Sequence, residues 1–221
     1  MPAAAPTLDF ERELAGQGYA LVAGCDEVGR GALAGPVSVG LVVVAAGQEL
    51  LAGVKDSKLL REPARQALVP VIRDWAVASA VGHASAAEID AVGLVAALRR
   101  AGVRALDAVA AEVLPGVVIL DGNQDWLSVP VQPELMFGGA AGGADVPVRT
   151  RIKADLTCLS VAAASVLAKV ERDSILAGLA VSHPEFGWDV NKGYATAAHR
   201  AAIAAHGATE FHRRTWRLTA G

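Results

Sequence analysis

Leu21-Val-Ala-Gly-Cys-Asp-Glu-Val-Gly-Arg-Gly-Ala-Leu-Ala-Gly-Pro-Val-Ser-Val-Gly-Leu-Val-Val-Val-Ala-Ala46 is the stretch from which the fold is read. It begins with a short apolar run, Leu21–Asp26, that ends on two acids. Gly29, Gly31 and Gly35-Pro36 then break the chain, and the β-branched run Val37–Ala46 follows. Two apolar runs of strand length, joined by a glycine-rich loop of about ten residues, predict a pair of buried antiparallel strands.

Downstream, Glu62–Trp75 reads as a helix with Pro63 in its first turn, and Pro70 is expected to kink or split it. Ala76–Ala84 reads as a third strand. Ser85-Ala-Ala-Glu88 is a capping-box pattern opening a helical region, which Gly93 breaks before a longer helix, Leu94–Val113. Val117–Asp121 is a short apolar strand, and residues 122–147 are rich in Gly and Pro. Val148–Lys153 alternates as a strand with one wet face does. Thr157 is placed to cap a helix over Leu159–Val181. A loop from Ser182 to Thr196 leads to a helix, Ala197–His206, capped by Thr196. Upstream, residues 1–16 read as a loose lead-in with a short charged helix, Asp9–Ala15. Strands first, then strands alternating with helices, predict one α/β or α+β domain with a mixed sheet over residues 1–221.

Composition narrows the class. The chain is 53% hydrophobic and 19% charged, which excludes a disordered polymer. Its longest apolar runs fall short of the ~18 residues a membrane span needs, and the N-terminus lacks a secretory pattern. Two cysteines, Cys25 and Cys158, are too few for a disulfide framework. The expectation is a reduced, soluble, cytoplasmic protein. Residues 1–148 carry 10 basic and 17 acidic side chains, whereas residues 149–221 carry 10 and 6. A basic C-terminal third on an acidic body suits a face for phosphates; an ordinary fluctuation in surface charge is the plain alternative.

The chemistry is concentrated in acids at strand ends. Asp26 and Glu27 close the first strand, Asp121 closes Val117–Leu120, and Asp155 follows Val148–Lys153. Each alone reads as a solvated terminus or a helix cap; together they call for a common cause, since ligands in open α/β sheets gather at that edge. Neighbouring strand residues face opposite ways, so Asp26 and Glu27 are expected to share a site only if the chain leaves strand geometry there, with Gly29 and Gly31 supplying the freedom. Four crowded carboxylates raise one another's pKa unless a cation joins them, and all-oxygen ligation favours Mg²⁺ or Mn²⁺. Such a cluster suits in-line displacement at phosphorus with two metal ions roughly 4 Å apart. Gly29-Arg30-Gly31 offers backbone groups to a sugar or phosphate, and Asp56-Ser57-Lys58 offers a hydroxyl and an ammonium.

These motifs resemble those of ribonuclease HII, the type 2 ribonuclease H family. The match comprises Gly24–Pro36, Asp56-Ser-Lys58, Leu120-Asp-Gly122, Lys153-Ala-Asp155 with Ser160–Lys169 and Arg172-Asp173, and Lys192-Gly-Tyr194 with Thr196, His199 and His212-Arg-Arg214. The motifs occur in order from about Leu21 to Trp216. The resemblance implies a ribonuclease H-like fold: a five-stranded mixed sheet flanked by helices, plus a helical C-terminal part, 182–221, that recognises substrate. It implies hydrolysis of RNA in RNA–DNA hybrids and at single ribonucleotides in duplex DNA, leaving 3′-hydroxyl and 5′-phosphate ends. Asp26, Glu27, Asp121 and Asp155 map onto the metal-binding acids, Asp173 onto supporting structure. Gly29, Arg30, Gly31, Ser57, Lys58, Lys169, Lys192 and Tyr194 map onto substrate contacts, with Tyr194 and the Gly-Arg-Gly turn reading the 2′-hydroxyl. The chain is expected to act as a monomer, and no clamp-binding tail is evident after Trp216. The stretch between Asp121 and Asp155 is long, and its insert Phe137–Ala144 is expected to be a mobile loop. His183, His199, His206 and His212 are expected at the surface or as caps. Two other readings fit less well. A binding module without catalysis would lack one of the acids, and a nucleotide-binding α/β protein would place a helix directly after Gly31.

Overall fold

In this computed structural model, residues 5–128 and 145–219 are described. The two runs that open the motif form β1 (Leu21–Val28) and β2 (Val37–Ala45), antiparallel, with Leu21 opposite Ala45 and Val28 opposite Ser38. β3 (Ala78–Ala84) pairs antiparallel with β2. β4 (Val117–Asp121) lies parallel to β1, and β5 (Val148–Arg151) parallel to β4. The result is the expected five-stranded mixed sheet, ordered β3-β2-β1-β4-β5. The helices are α1 (Asp9–Gly16), α2 (Glu62–Trp75), α3 (Ala86–Val92), α4 (Leu94–Ala110), α5 (Ala154–Thr157), α6 (Leu159–Ser182), α7 (Trp188–Asn191) and α8 (Ala197–His206).

Strand alternation sends apolar side chains to both faces. Ala23, Cys25 and Leu120 pack with Ala97, Leu98, Ala101 and Ala105 of α4. Val22, Val42 and Ile119 pack on the other face with Val161, Ala164 and Leu167 of α6, together with Leu14 of α1 and Ile72 of α2. α6 rests almost on bare backbone. A Cβ on Gly24 would lie 2.3 Å from the Ser160 carbonyl carbon, and one on Gly40 would lie 2.3 Å from the Ala164 oxygen. Leu159–Ala168 of this helix is buried throughout, as a helix that is apolar all round must be. A third, smaller cluster gathers Leu33, Leu176, Phe186, Trp188 and Ile203.

Several local expectations change. α2 runs unbroken through Pro70, because the ring sits on its exposed side, where the carbonyl left without a donor meets water. The N-terminal segment is not loose. Thr7 exchanges backbone hydrogen bonds with Thr157 and Leu159, and the buried Glu11 carboxylate accepts from the Ser160 amide at 2.9 Å and hydroxyl at 2.7 Å. Glu11 therefore caps α6 from outside. Thr157 ends α5 instead, its hydroxyl donating to the Lys153 carbonyl. His199 and His212 are buried, not superficial, because the third cluster closes over them. Cys25 and Cys158 are buried and free, and burial pushes the Cys158 thiol up to about 11. The insert Phe137–Ala144 lies outside the described residues. Among the described residues no helix is long and apolar enough to cross a membrane.

Candidate active site

The acids meet where β1 outruns its neighbour. β4 pairs with β1 only as far as Cys25 and Leu120, whereas β1 stays paired with β2 through Asp26, Glu27 and Val28. Strand geometry is therefore kept at the two acids, contrary to expectation. By alternation Asp26 shares the α6 side with Asp121, and Glu27 points to the α4 side; the exposed edge beyond Leu120 lets all three charges interact. The Asp121 carboxylate accepts from the Ala154 amide at 2.7 Å, which ties the end of β4 to α5 and sets Asp155 beside it.

Burial and mutual repulsion raise the proton affinity of Asp26, Glu27 and Asp155. Asp26, 6% exposed, sits well above the usual carboxylate range because it is buried and lies near Glu27 and Asp121. Burial raises Glu27, and Asp121 adds to it, against the opposing pull of Arg30, whose guanidinium donates to Glu27 Oε1 at 2.8 Å. Burial also raises Asp155, with Asp121 and Asp56 adding to it. For Lys58 burial works downward, but Asp56, Asp26 and Asp155 outweigh it and raise the ammonium. Its Nζ lies 3.5 Å from Asp155 Oδ2 and 3.9 Å from Asp56 Oδ1.

The second motif is divided in its roles. Lys58 faces the carboxylates, but Ser57 is buried, and its hydroxyl accepts from the Ser165 hydroxyl at 2.7 Å. The phosphate contact expected of Ser57 is thus corrected: the short helical turn at Ser57–Leu59 aims that side chain at α6. Lys169 is committed to Asp173 at 2.7 Å, and Asp173 also faces Arg65 at 3.8 Å.

The Gly-Arg-Gly turn is held from below. Gly29 has φ of 89°, and a Cβ there would strike Arg172 Nε at 2.2 Å. Gly31 has open space and no such backbone, so the special geometry belongs to Gly29 alone. Arg172 donates to the carbonyls of Pro36 (2.9 Å), Ala34 (3.1 Å) and Lys192 (2.9 Å). Arg213 donates to those of Arg30 (2.8 Å), Gly29 (2.6 Å) and Gly35 (3.3 Å). The amides of Leu33 and Ala34 donate to Gly193. Tyr194, 36% exposed, lies with its ring 5.5 Å from the Arg172 guanidinium.

Comparison with known proteins then decides the family. The pattern of the family described as Ribonuclease HII matches residues 23–219. The chain belongs to the ribonuclease HII family. A ribonuclease HII from Streptomyces avermitilis is 45% identical over 217 residues, covering 98% of this chain and 85% of that protein. Among solved structures, the ribonuclease H2 of Pyrococcus horikoshii superposes with a TM-score of 0.69 at 28% identity, over 90% of this chain and 94% of that one. The ribonuclease HII of Archaeoglobus fulgidus, solved in complex with PCNA, superposes with a TM-score of 0.68 at 27% identity, over 91% and 97%. Membership in the ribonuclease HII family makes this chain a nuclease, a hydrolase of the ribonuclease H type. The ribonuclease HII sequence pattern did not reveal how the C-terminal groups are used. His199 donates from Nδ1 to the Tyr194 carbonyl at 2.9 Å, and its Nε2 accepts from the Trp188 indole at 3.0 Å. His212 Nε2 lies 3.2 Å from the same nitrogen, and its Nδ1 accepts from the Thr209 amide. Arg172, on α6, anchors two loops.

Proposed function

We propose that this chain is a divalent-metal-dependent endoribonuclease. It hydrolyses the RNA strand of RNA–DNA hybrids and cuts on the 5′ side of single ribonucleotides embedded in duplex DNA. Water is added across the phosphodiester, the bond to the 3′ oxygen breaks, and 3′-hydroxyl and 5′-phosphate ends remain. Such an activity serves ribonucleotide removal from DNA and the removal of replication primers.

The observation that carries this reading is the gathering of Asp26, Glu27, Asp121 and Asp155 at one sheet edge, with the proton affinities of Asp26, Glu27 and Asp155 raised. The donor set suits Mg²⁺ or Mn²⁺, all oxygen and strongly anionic. One observation points the same way: Glu27 Oε2 is buried and has no hydrogen-bond partner. Among the described residues no three acidic, histidine or cysteine groups are already closed around a point. Lys58 and Arg30 meanwhile supply the counter-charge, so completing an ion site involves redirecting those side chains. When bound, divalent ions activate the attacking water and stabilise the leaving oxygen. The four acids hold that charge. Lys58 meets the phosphate, the Gly29–Gly31 backbone and Tyr194 meet the ribose 2′-hydroxyl, and the clamped loop keeps the two sugar-reading groups in register.

A cleavage assay tests the reading with three duplexes: a full hybrid, DNA with one ribonucleotide, and plain DNA. The first two are expected to be cut in Mg²⁺ and plain DNA spared. Asp121→Asn is expected to remove nearly all turnover while keeping the parental melting temperature. Cleavage that persists in chelator, or at the parental rate in Asp121→Asn, overturns the reading.

A further inference from the structure

Among the described residues only two that are not glycine have positive φ, and both are lysines: Lys153 at 59° and Lys192 at 51°. Such backbone is costly for a residue with a Cβ and free for glycine. Neighbouring groups sustain each conformation. The Lys153 carbonyl accepts from the Leu156 amide and the Thr157 hydroxyl, and the Lys192 carbonyl accepts from Arg172. Those bonds use only backbone atoms of the lysines and would serve glycine equally well. What the lysines add is an ammonium on each side.

Among the described residues neither ammonium has an intramolecular partner. Lys58 and Lys169 are ion-paired with carboxylates. Lys153 and Lys192 have no ion pair among the described residues, and Lys153 is exposed and Lys192 half-exposed. Their places are complementary. Lys153 precedes Ala154, whose amide binds Asp121, so it stands at the β5 side of the acids. Lys192 sits on the turn that Arg172 ties to the Gly29–Pro36 loop, at the other side. Strain retained beside a functional site, with a free side chain attached to it, points to a ligand for that side chain.

We propose that Lys153 is a phosphate contact on the β5 side of the acids, which with Lys192, already mapped onto a substrate contact, grips the nucleic-acid backbone on the two sides of the scissile position. The chemical class of the ligand is the phosphodiester, without regard to base or sugar. This inference rests on the nuclease reading of the acids and adds Lys153, along with a reason for the unusual backbone at both positions.

The test measures equilibrium binding of a hybrid duplex and a plain DNA duplex over a salt series, in an Asp121→Asn background so that no strand is cut. Lys153→Gly and Lys192→Gly are each expected to lower the slope of log affinity against log salt by roughly one unit, for both duplexes. Their melting temperatures are expected to equal or exceed that of the Asp121→Asn background. Lys153→Arg and Lys192→Arg are expected to keep the background's slope. Slopes unchanged in both glycine variants overturn the inference, as does a lowered melting temperature with an unchanged slope. If the Asp121→Asn background itself shows no salt-dependent binding to either duplex, the nuclease reading falls first, and that result is distinct from the other two.

Discussion

At the scale of single residues, the site is organised by side chains one step removed from the acids. Arg65 of α2 donates to the carbonyls of Ser57 and Leu60 and faces Asp173, so it fixes the turn from which Lys58 reaches Asp155. If Arg65 acts through Lys58, the two are coupled. Arg65→Ala is expected to lower kcat by roughly ten- to a hundredfold in the parent. In a Lys58→Ala background it should add little, while the loss of melting temperature stays the same in both. A double-mutant cycle measures this, and independent losses in kcat would contradict the coupling. The acids themselves were legible in the sequence, because carboxylates ending apolar runs are conspicuous. Ser57, Arg172, His199 and His212 were not. A side chain hydrogen-bonded to a distant element leaves no periodic mark, and a polar residue that becomes buried reads as a surface residue until its partners are known.

At the scale of elements, the close seating of α6 on β1 and β2 fixes the layer behind the acids, while the Ala154 amide of α5 sets Asp155 beside Asp121. Gly24→Ala puts a Cβ into the helix backbone at 2.3 Å, with no flexible side chain to give way. It is expected to cost roughly 3 kcal/mol, the upper end of ordinary overpacking. Gly31→Ala meets open space and is expected to stay within about 0.5 kcal/mol of the parent. Denaturant unfolding of the two variants gives the comparison, and equal losses would refute the packing argument. The apolar runs gave away β2 and β4 to within a residue and β1 to within two, and the Ser85/Glu88 box fixed the start of α3. Those signals are local. The start of α6 at Leu159 was right, but its cap was misjudged, because the capping Glu11 comes from 149 residues away. The pairing of Asp26 with Glu27 was misjudged because the deciding fact is where the neighbouring strand stops.

For the molecule as a whole, the C-terminal part adds a pH dependence. Burial, followed by the nearby His199, Arg214 and His183, pulls His212 down to about 4. The unfolded chain therefore binds this proton more readily, and stability is lost as pH falls from about 6.5 towards 4, by at most about 3 kcal/mol. Asp26 works in the opposite sense: its raised pKa gives stability that is present in acid and lost as pH rises through its folded value. Comparing the parent with His212→Gln isolates the histidine, and the variant should show the shallower decline below pH 6.5. An equal decline would place the acid sensitivity elsewhere. The clamp on the Gly29–Pro36 loop has a consequence for how the enzyme comes into being. Gly29 and Arg213, which share a hydrogen bond, stand 184 positions apart. On the ribosome, where a chain emerges N-terminal end first, the first pair of acids emerges long before the arginine that shapes the loop. A chain cut short before Arg213 thus carries Asp26 and Glu27 but lacks the clamp that holds the loop beside them.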